Sequence, residues 1–80
     1  MEEDIEQIKR NFGIKLRILM IKKGKRLMDL SRELKIPQST ISDWCSGRVY
    51  PRLEKMLLLA KYFNIEYNDL VKINDDFLDN

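Results

Sequence analysis

The stretch LMDLSRELKIPQSTISDWCS, residues 27–46, spaces its apolar side chains as two short helices joined by a tight turn would require. Ser31 is small enough to let the second helix cross closely over the first. The other positions of the pattern are apolar and would hold both helices against the rest of the chain: Leu30, Leu34, Ile36, Ile41 and Trp44. The spacing therefore predicts helices over 27–34 and 38–46 on a shared core.

Five side chains between these core positions form hydrogen bonds and are poor buried residues: Gln38, Ser39, Thr40, Ser42 and Asp43. They share one face of the second predicted helix. Two interpretations stay open on this evidence. The face is a solvated surface, or it binds a partner through hydrogen bonds.

Helical spacing of apolar residues continues along nearly the whole chain, and no long stretch alternates with period two. Breaks occur where Gly, Pro or Asn interrupts the pattern. The predicted helices cover residues 3–23, 27–34, 38–46, 52–63 and 67–72. Eighty residues correspond to one domain at most, and the short connections force neighbouring helices to pack at steep angles. The sequence predicts a single all-α domain.

Two of these helices show an apolar stripe that we interpret as core. The first helix carries Ile5, Ile8, Phe12, Leu16 and Leu19, and the fourth carries Leu53, Met56, Leu57, Ala60 and Phe63. Gly13 lies inside the first helix and costs about 1 kcal/mol relative to Ala if that helix is continuous. Alternatively, residues up to Asn11 form a separate arm or turn, and the core helix begins there.

The formal net charge of +2 conceals an uneven distribution. Between Lys9 and Lys61 there are fourteen Lys and Arg but only four acidic residues, whereas both ends of the chain are acidic. A basic central region indicates a polyanionic partner. A lysine-rich surface that only interacts with solvent explains the charge equally well.

The residues available for catalysis and metal binding are few. The chain has no His and a single Cys, Cys45, so it lacks the ligands of a zinc site, a Cys-His nucleophile pair and an internal disulfide. It has no glycine-rich phosphate loop. We therefore expect neither an enzyme nor a metal or cofactor. The apolar runs are too short to span a bilayer, and we expect a cytoplasmic protein.

Residues 12–71 as a whole resemble the Cro/repressor-type (XRE-like) helix-turn-helix family. The most specific part is STISDWCSG at 39–47, followed by a Pro-led helix and AKYFNI at 60–65. The resemblance implies a compact five-helix lambda-repressor-like domain over 12–72, with its helix-turn-helix in helices two and three. Residues 1–11 are then an N-terminal extension, helical and continuous with helix one, and 73–80 an acidic C-terminal tail.

The resemblance also implies a bacterial, archaeal or phage origin and a function, that of a sequence-specific transcriptional regulator, expected to be a repressor. It would bind double-stranded DNA at a palindromic operator as a homodimer. The third helix would enter the major groove and bring Gln38, Ser39, Thr40, Ser42 and Asp43 near base edges. Glutamine can pair bidentately with adenine, the hydroxyls can donate or accept, and a carboxylate can accept from cytosine.

Contacts to DNA phosphates are expected from Arg26, Leu27, Lys35, Arg48 and Arg52. Arg26 and Arg52 occupy helix starts where this family often has Ser or Thr. A helix N-terminus attracts anions, so arginine is unfavourable there by about 0.3–1 kcal/mol unless a phosphate binds. Arg48 directly follows the third helix, where the chain of related proteins passes a DNA strand.

Three positions depart from the family pattern. Lys35 stands where the turn usually has Gly, which costs roughly 1 kcal/mol in a left-handed conformation and predicts a slightly altered turn. Met20 and Cys45 stand where relatives commonly have an Arg–Glu ion pair. We expect their sulfur side chains to pack together and Cys45 to be an inert, buried thiol; a redox-sensing cysteine is the alternative.

The expected dimer interface uses helix five and the tail, through Ile73, Phe77 and Leu78, which otherwise have no partner. A frayed acidic tail is the alternative. A different function also stays open: a helix-turn-helix protein-interaction module, such as an antitoxin or an adaptor subunit. Salt-dependent binding to duplex DNA separates the two functions.

Overall fold

The computed structural model describes residues 4–72, which form five helices and no strand. The helices are α1 (Ile5–Lys23), α2 (Leu27–Leu34), α3 (Gln38–Ser46), α4 (Leu53–Phe63) and α5 (Tyr67–Val71). The predicted all-α class and the order of five helices are confirmed. The predicted limits of the helices differ from these by at most two residues.

Helix α1 runs through Gly13 without a break, so the alternative of a separate N-terminal arm is wrong. A Cβ atom on Gly13 would lie 2.4 Å from the carbonyl oxygen of Cys45 and 2.8 Å from that of Trp44. Since real Cβ atoms do not come this close to backbone oxygens, the crossing of α1 over the last turn of α3 requires glycine. The helix-propensity cost of Gly13 is offset by this close packing.

The turn between α2 and α3 is closed by Ser31, whose Oγ donates to the carbonyl oxygen of Ile36 at 2.6 Å. Lys35 ends α2 in the left-handed conformation, with φ 58° and ψ 45°. The turn therefore keeps the left-handed geometry that usually selects glycine, and the expected alteration of the turn is not seen. The lysine side chain is exposed. Its left-handed backbone costs about 1 kcal/mol relative to glycine.

The core contains the apolar positions of the helix-turn-helix pattern. Leu30, Ile36, Ile41 and Trp44 are buried there, and Leu34 packs against them half-buried. The remaining buried core side chains come from the other helices: Phe12, Leu16, Leu19, Met20, Met56, Leu59, Ala60 and Leu70. Every helix thus contributes to one core, which fixes the position of α3.

Three residues interpreted as core lie at the surface. Ile5 is 66% exposed, Leu53 60% and Leu57 50%, whereas Leu59 is fully buried. In α4 the leucines occupy so many positions that two stripes fit the same helical period. The stripe through Met56, Leu59 and Ala60 faces the core, which leaves Leu53 and Leu57 outside. Ile5 lies in the first turn of α1, where residues 5–7 are exposed and Ile8 is half-buried.

Lys15 is buried, with 5% of its surface exposed, although it carries a charge. Its Nζ donates to the carbonyl oxygens of Lys72 at 2.8 Å and Leu70 at 3.3 Å, and also to that of Asp69. These are carbonyls at the end of α5, which a helix leaves without intrahelical partners. Burial lowers the pKa of Lys15. The ammonium thereby fastens α5 to α1.

Candidate nucleic-acid interface

Helix α3 has one side in the core and the opposite side in solvent. Ile41 and Trp44 hold the buried side. Of the five residues predicted to contact bases, Gln38, Ser39 and Ser42 are exposed. The structure brings these three onto one accessible surface, which we call the α3 face.

Thr40 and Asp43 lie at the edge of the α3 face and are half-buried. The carboxylate of Asp43 is 3.9 Å from Nε of Arg48, and the Asp43 carbonyl accepts hydrogen bonds from the amides of Arg48 and Val49. An exposed ion pair of this length contributes little to stability. It does bring Arg48 beside the α3 face and leaves Asp43 less available for a base.

The first turn of α3 follows Pro37, whose carbonyl accepts from the amides of Thr40 and Ile41 at 3.0 and 3.3 Å. No side chain caps this turn. Its exposed N–H groups therefore remain for water or an acceptor. Lys35 is exposed three residues before Gln38, at the same end of the helix.

Arg26 and Arg52 precede α2 and α4 with extended backbones, and neither side chain caps its helix. The Arg26 amide donates to the carboxylate of Asp29 at 2.9 Å, and this bond holds the pKa of Asp29 below its usual value. In residues 4–72, neither guanidinium forms an ion pair. Leu27 packs its side chain against the core, so only its backbone amide is available to a phosphate.

Other cations are engaged in contacts on a different surface. Nζ of Lys25 lies 3.0 Å from the Glu33 carboxylate, and Oη of Tyr62 donates to the same carboxylate at 2.6 Å. Lys23 lies over the Tyr62 ring, 5.1 Å from its centroid. Burial, followed by the hydrogen bond to Glu33 and the negative charge of its carboxylate, raises the pKa of Tyr62 to about 12. This cluster links α1, α2 and α4 and engages Lys23 and Lys25.

The α3 face is bordered by a different element on each side. On one side, Thr40 shares a groove of about 330 Å³ with Val49, Arg52 and Lys55. On the other side, Sγ of Cys45 lies 3.9 Å from Sδ of Met20 on α1. The recognition surface predicted from the sequence thus lies between α1 and the start of α4.

The predicted contact between Met20 and Cys45 is confirmed by this distance, but the predicted full burial of Cys45 is wrong. Met20 is buried, whereas Cys45 is half-buried, because α1 covers only one side of the last turn of α3. Burial raises the pKa of the Cys45 thiol, and the positive charge of Arg17 opposes the rise. A protonated thiol is a poor nucleophile, which supports the prediction of low reactivity.

Sequence reasoning missed Arg10 and Arg17, two exposed arginines of α1 near the last turn of α3. Arg10 lies three residues before Gly13 and Arg17 four residues after it. This spacing places both on the Gly13 side of α1, and it could have identified them from the sequence. Within residues 4–72, no group of His, Cys, Asp and Glu side chains could hold a metal ion. Over the same range, none of the helices combines the length and apolarity that crossing a membrane requires.

Comparison with known proteins adds two findings. The family model of the Cro/C1-type HTH DNA-binding domain matches residues 15–76. The HTH-type transcriptional activator BcrR of Enterococcus faecalis is 30% identical over 60 residues, which cover 75% of this chain and 29% of that protein. No solved structure gives a significant match.

Proposed function

The chain belongs to the Cro/C1-type helix-turn-helix DNA-binding domain family, and from this premise we propose that it is a sequence-specific transcriptional regulator that reads the major groove of duplex DNA with α3. One observation carries the proposal. The helix has Ile41 and Trp44 buried on one side and Gln38, Ser39 and Ser42 exposed on the other. An α-helix fits the major groove, where each base pair presents a distinct set of donors and acceptors.

In this proposal the exposed residues differ in their roles. Gln38 stands first on the helix and pairs bidentately with an adenine, while Ser39 and Ser42 donate to or accept from neighbouring bases. Thr40 and Asp43 act at the edge of the α3 face. The Asp43 carboxylate interacts with Arg48 and also accepts a hydrogen bond from a base.

Phosphate contacts position the domain without reading sequence. Arg26 and Arg52 supply two of them, because both residues are exposed at helix starts that their own side chains do not cap. Lys35 and Arg48 lie at the two ends of α3, and the Leu27 amide adds a backbone donor. Arg26, Leu27 and Arg52 lie at helix N-termini, where partial positive charge favours an anion.

We propose a homodimer on a palindromic operator, since one recognition helix covers too few base pairs for useful specificity. Two surfaces can join the subunits. One is α5 together with the tail residues Ile73, Phe77 and Leu78, which lie outside the described residues. The other is the apolar surface of Leu53 and Leu57, which are four residues apart on α4 and are 60% and 50% exposed.

The direction of regulation belongs to this proposal as well. The sequence leads us to expect a repressor in the cytoplasm, whereas the Enterococcus relative is named an activator. The matched stretch is less than a third of that protein, so its activity is not a guide to this chain. A reporter gene placed downstream of the bound site, measured with and without the protein, gives the direction.

Selection of bound duplexes from a random pool, followed by sequencing, tests the proposed function. We expect enrichment of a motif with two related half-sites. The alternative, a protein-interaction module such as an antitoxin or adaptor, draws support from the exposed leucines of α4. Absence of any salt-dependent binding to duplex DNA would favour this alternative and refute the proposal.

A further inference from the structure

The backbone of α1 lies in contact with the last turn of α3 and with the residue after it. Gly13 approaches the carbonyls of Trp44 and Cys45, as described above. A Cβ atom on Gly47 would lie 2.9 Å from Cα and 3.0 Å from Cγ of Arg10. Side chains on this side of α1 therefore begin next to the end of the recognition helix.

Arg10 and Arg17 are on this side of α1, because residues separated by three or four positions share a helix face. Arg10 contacts Gly47 directly. Arg17 lies close enough to Cys45 for its charge to act on the thiol. Both arginines are exposed.

Their guanidinium groups keep most of their donors. Arg10 donates through Nη2 to the side-chain oxygen of Gln7 at 2.9 Å, and Arg17 donates through Nε to the Gly13 carbonyl at 3.4 Å. Among residues 4–72, neither forms an ion pair with a carboxylate; Arg32 and Arg48 do. A guanidinium has five N–H donors, so an anion can bind each group without first breaking an ion pair.

The position of these arginines fits the geometry of a major groove. The groove is about 12 Å wide with a phosphate strand along each side, and a helix with side chains is about 10–12 Å across. Elements on both sides of an inserted helix therefore meet opposite strands. Arg52 lies at the side of the α3 face near Thr40, and α1 lies at the side near Cys45.

We propose that Arg10 and Arg17 form a second phosphate-binding edge, which contacts the DNA strand opposite the one that Arg52 contacts. The inference rests on the proposed function and deepens it, because it makes α1 part of the DNA interface. The contacts are independent of sequence, since they involve the phosphodiester backbone alone. They hold α3 in the groove from its Cys45 side, whereas Arg52 holds it from its Thr40 side.

The test is the salt dependence of binding to a random-sequence duplex of about 21 base pairs, two helical turns. Each phosphate contact contributes about 0.9 to the slope of log affinity against log salt. The double variant Arg10→Gln/Arg17→Gln should therefore lower the slope by about 1.8 for each bound subunit. Between 50 and 200 mM salt, it should lose roughly tenfold less affinity per bound subunit than the unmodified protein.

The matched control is Arg32→Gln/Lys61→Gln, which removes the same charge from two exposed residues of α2 and α4. The slope of this control should equal that of the unmodified protein. Arg10→Lys/Arg17→Lys keeps both positive charges and should also show the slope of the unmodified protein. An unchanged slope in Arg10→Gln/Arg17→Gln overturns the inference, even if affinity falls, because a structural role alone would then explain the loss. If Arg52→Gln lowers the slope in the same assay, the proposed function stands while the inference fails.

Discussion

Gln38 is the first exposed residue of α3, and its side chain has no hydrogen bond to the domain among the bonds of the described residues. Replacement by Ala should weaken binding to the selected operator by about 1–3 kcal/mol and relax the preference at one base position. The loss follows from the unpaired adenine edge that the substitution leaves. Repeating the duplex selection with Gln38→Ala measures it. An equal loss on operator and random duplexes would make Gln38 a phosphate contact instead.

Cys45 and Met20 are in contact at the two positions where the resemblance to the family implies an ion pair. Cys45→Glu should destabilise the domain by about 1–3 kcal/mol, because the carboxylate would face the buried thioether of Met20. Addition of Met20→Arg should recover much of the loss. Urea denaturation of both variants gives the two free energies of unfolding.

The same pair has two further checks. A double variant no more stable than Cys45→Glu would contradict the energetic link between the two positions. Thiol labelling of the native protein tests the reactivity of Cys45. Since burial raises its pKa, labelling at neutral pH should be slower than that of the unfolded chain.

At the scale of single elements, α5 depends on Lys15. A five-residue helix is too short to be stable alone, and the Lys15 ammonium binds its terminal carbonyls. Lys15→Met keeps the apolar stem but leaves these carbonyls without their donor. It should cost about 1–3 kcal/mol of unfolding free energy and increase amide hydrogen exchange over 67–72. Normal exchange in this helix, with a global loss only, would contradict the local role of Lys15.

The ends of α2, α3 and α4 present the predicted phosphate contacts. A quadruple Ala variant of Arg26, Lys35, Arg48 and Arg52 should bind all duplex sequences more weakly and lower the salt slope by about one for each lost contact. Arg48 is expected to contribute least, because Asp43 lies 3.9 Å from its Nε. Fluorescence anisotropy at several salt concentrations measures the slope, and an unchanged slope would remove these residues from the interface.

At the scale of the whole molecule, the question is which surface pairs two subunits on DNA. Deletion of 73–80 tests the tail, and Leu53→Ser/Leu57→Ser tests the apolar surface of α4. Both leucines lie outside the core, so polar replacement should leave the fold intact. We expect light scattering to show two chains per operator duplex for the unmodified protein. Retention of that stoichiometry after tail deletion would clear the tail of the role and leave the α4 surface.

The order and approximate limits of the helices followed from local features. Apolar spacing over 27–46 and the left-handed residues Gly24, Gly47 and Asn64, which end helices, act over a few neighbouring residues. The need for a small residue at Ser31 could also be predicted from local sequence, since the turn that Ser31 closes is only five residues away. The contact between Met20 and Cys45 could be predicted from the sequence because the resemblance to the family pairs those two positions.

Four features depended on packing between distant segments. A helical period fixes the angles between side chains of one helix, but not the side on which a neighbouring helix lies; hence Leu59 is buried and Leu53 exposed. The need for Gly13 arises from carbonyls more than thirty residues away. The burial of Lys15 arises from carbonyls 54 to 57 residues away. The basic edge of Arg10 and Arg17 likewise exists only because α1 crosses the end of α3, a contact that no local sequence pattern specifies.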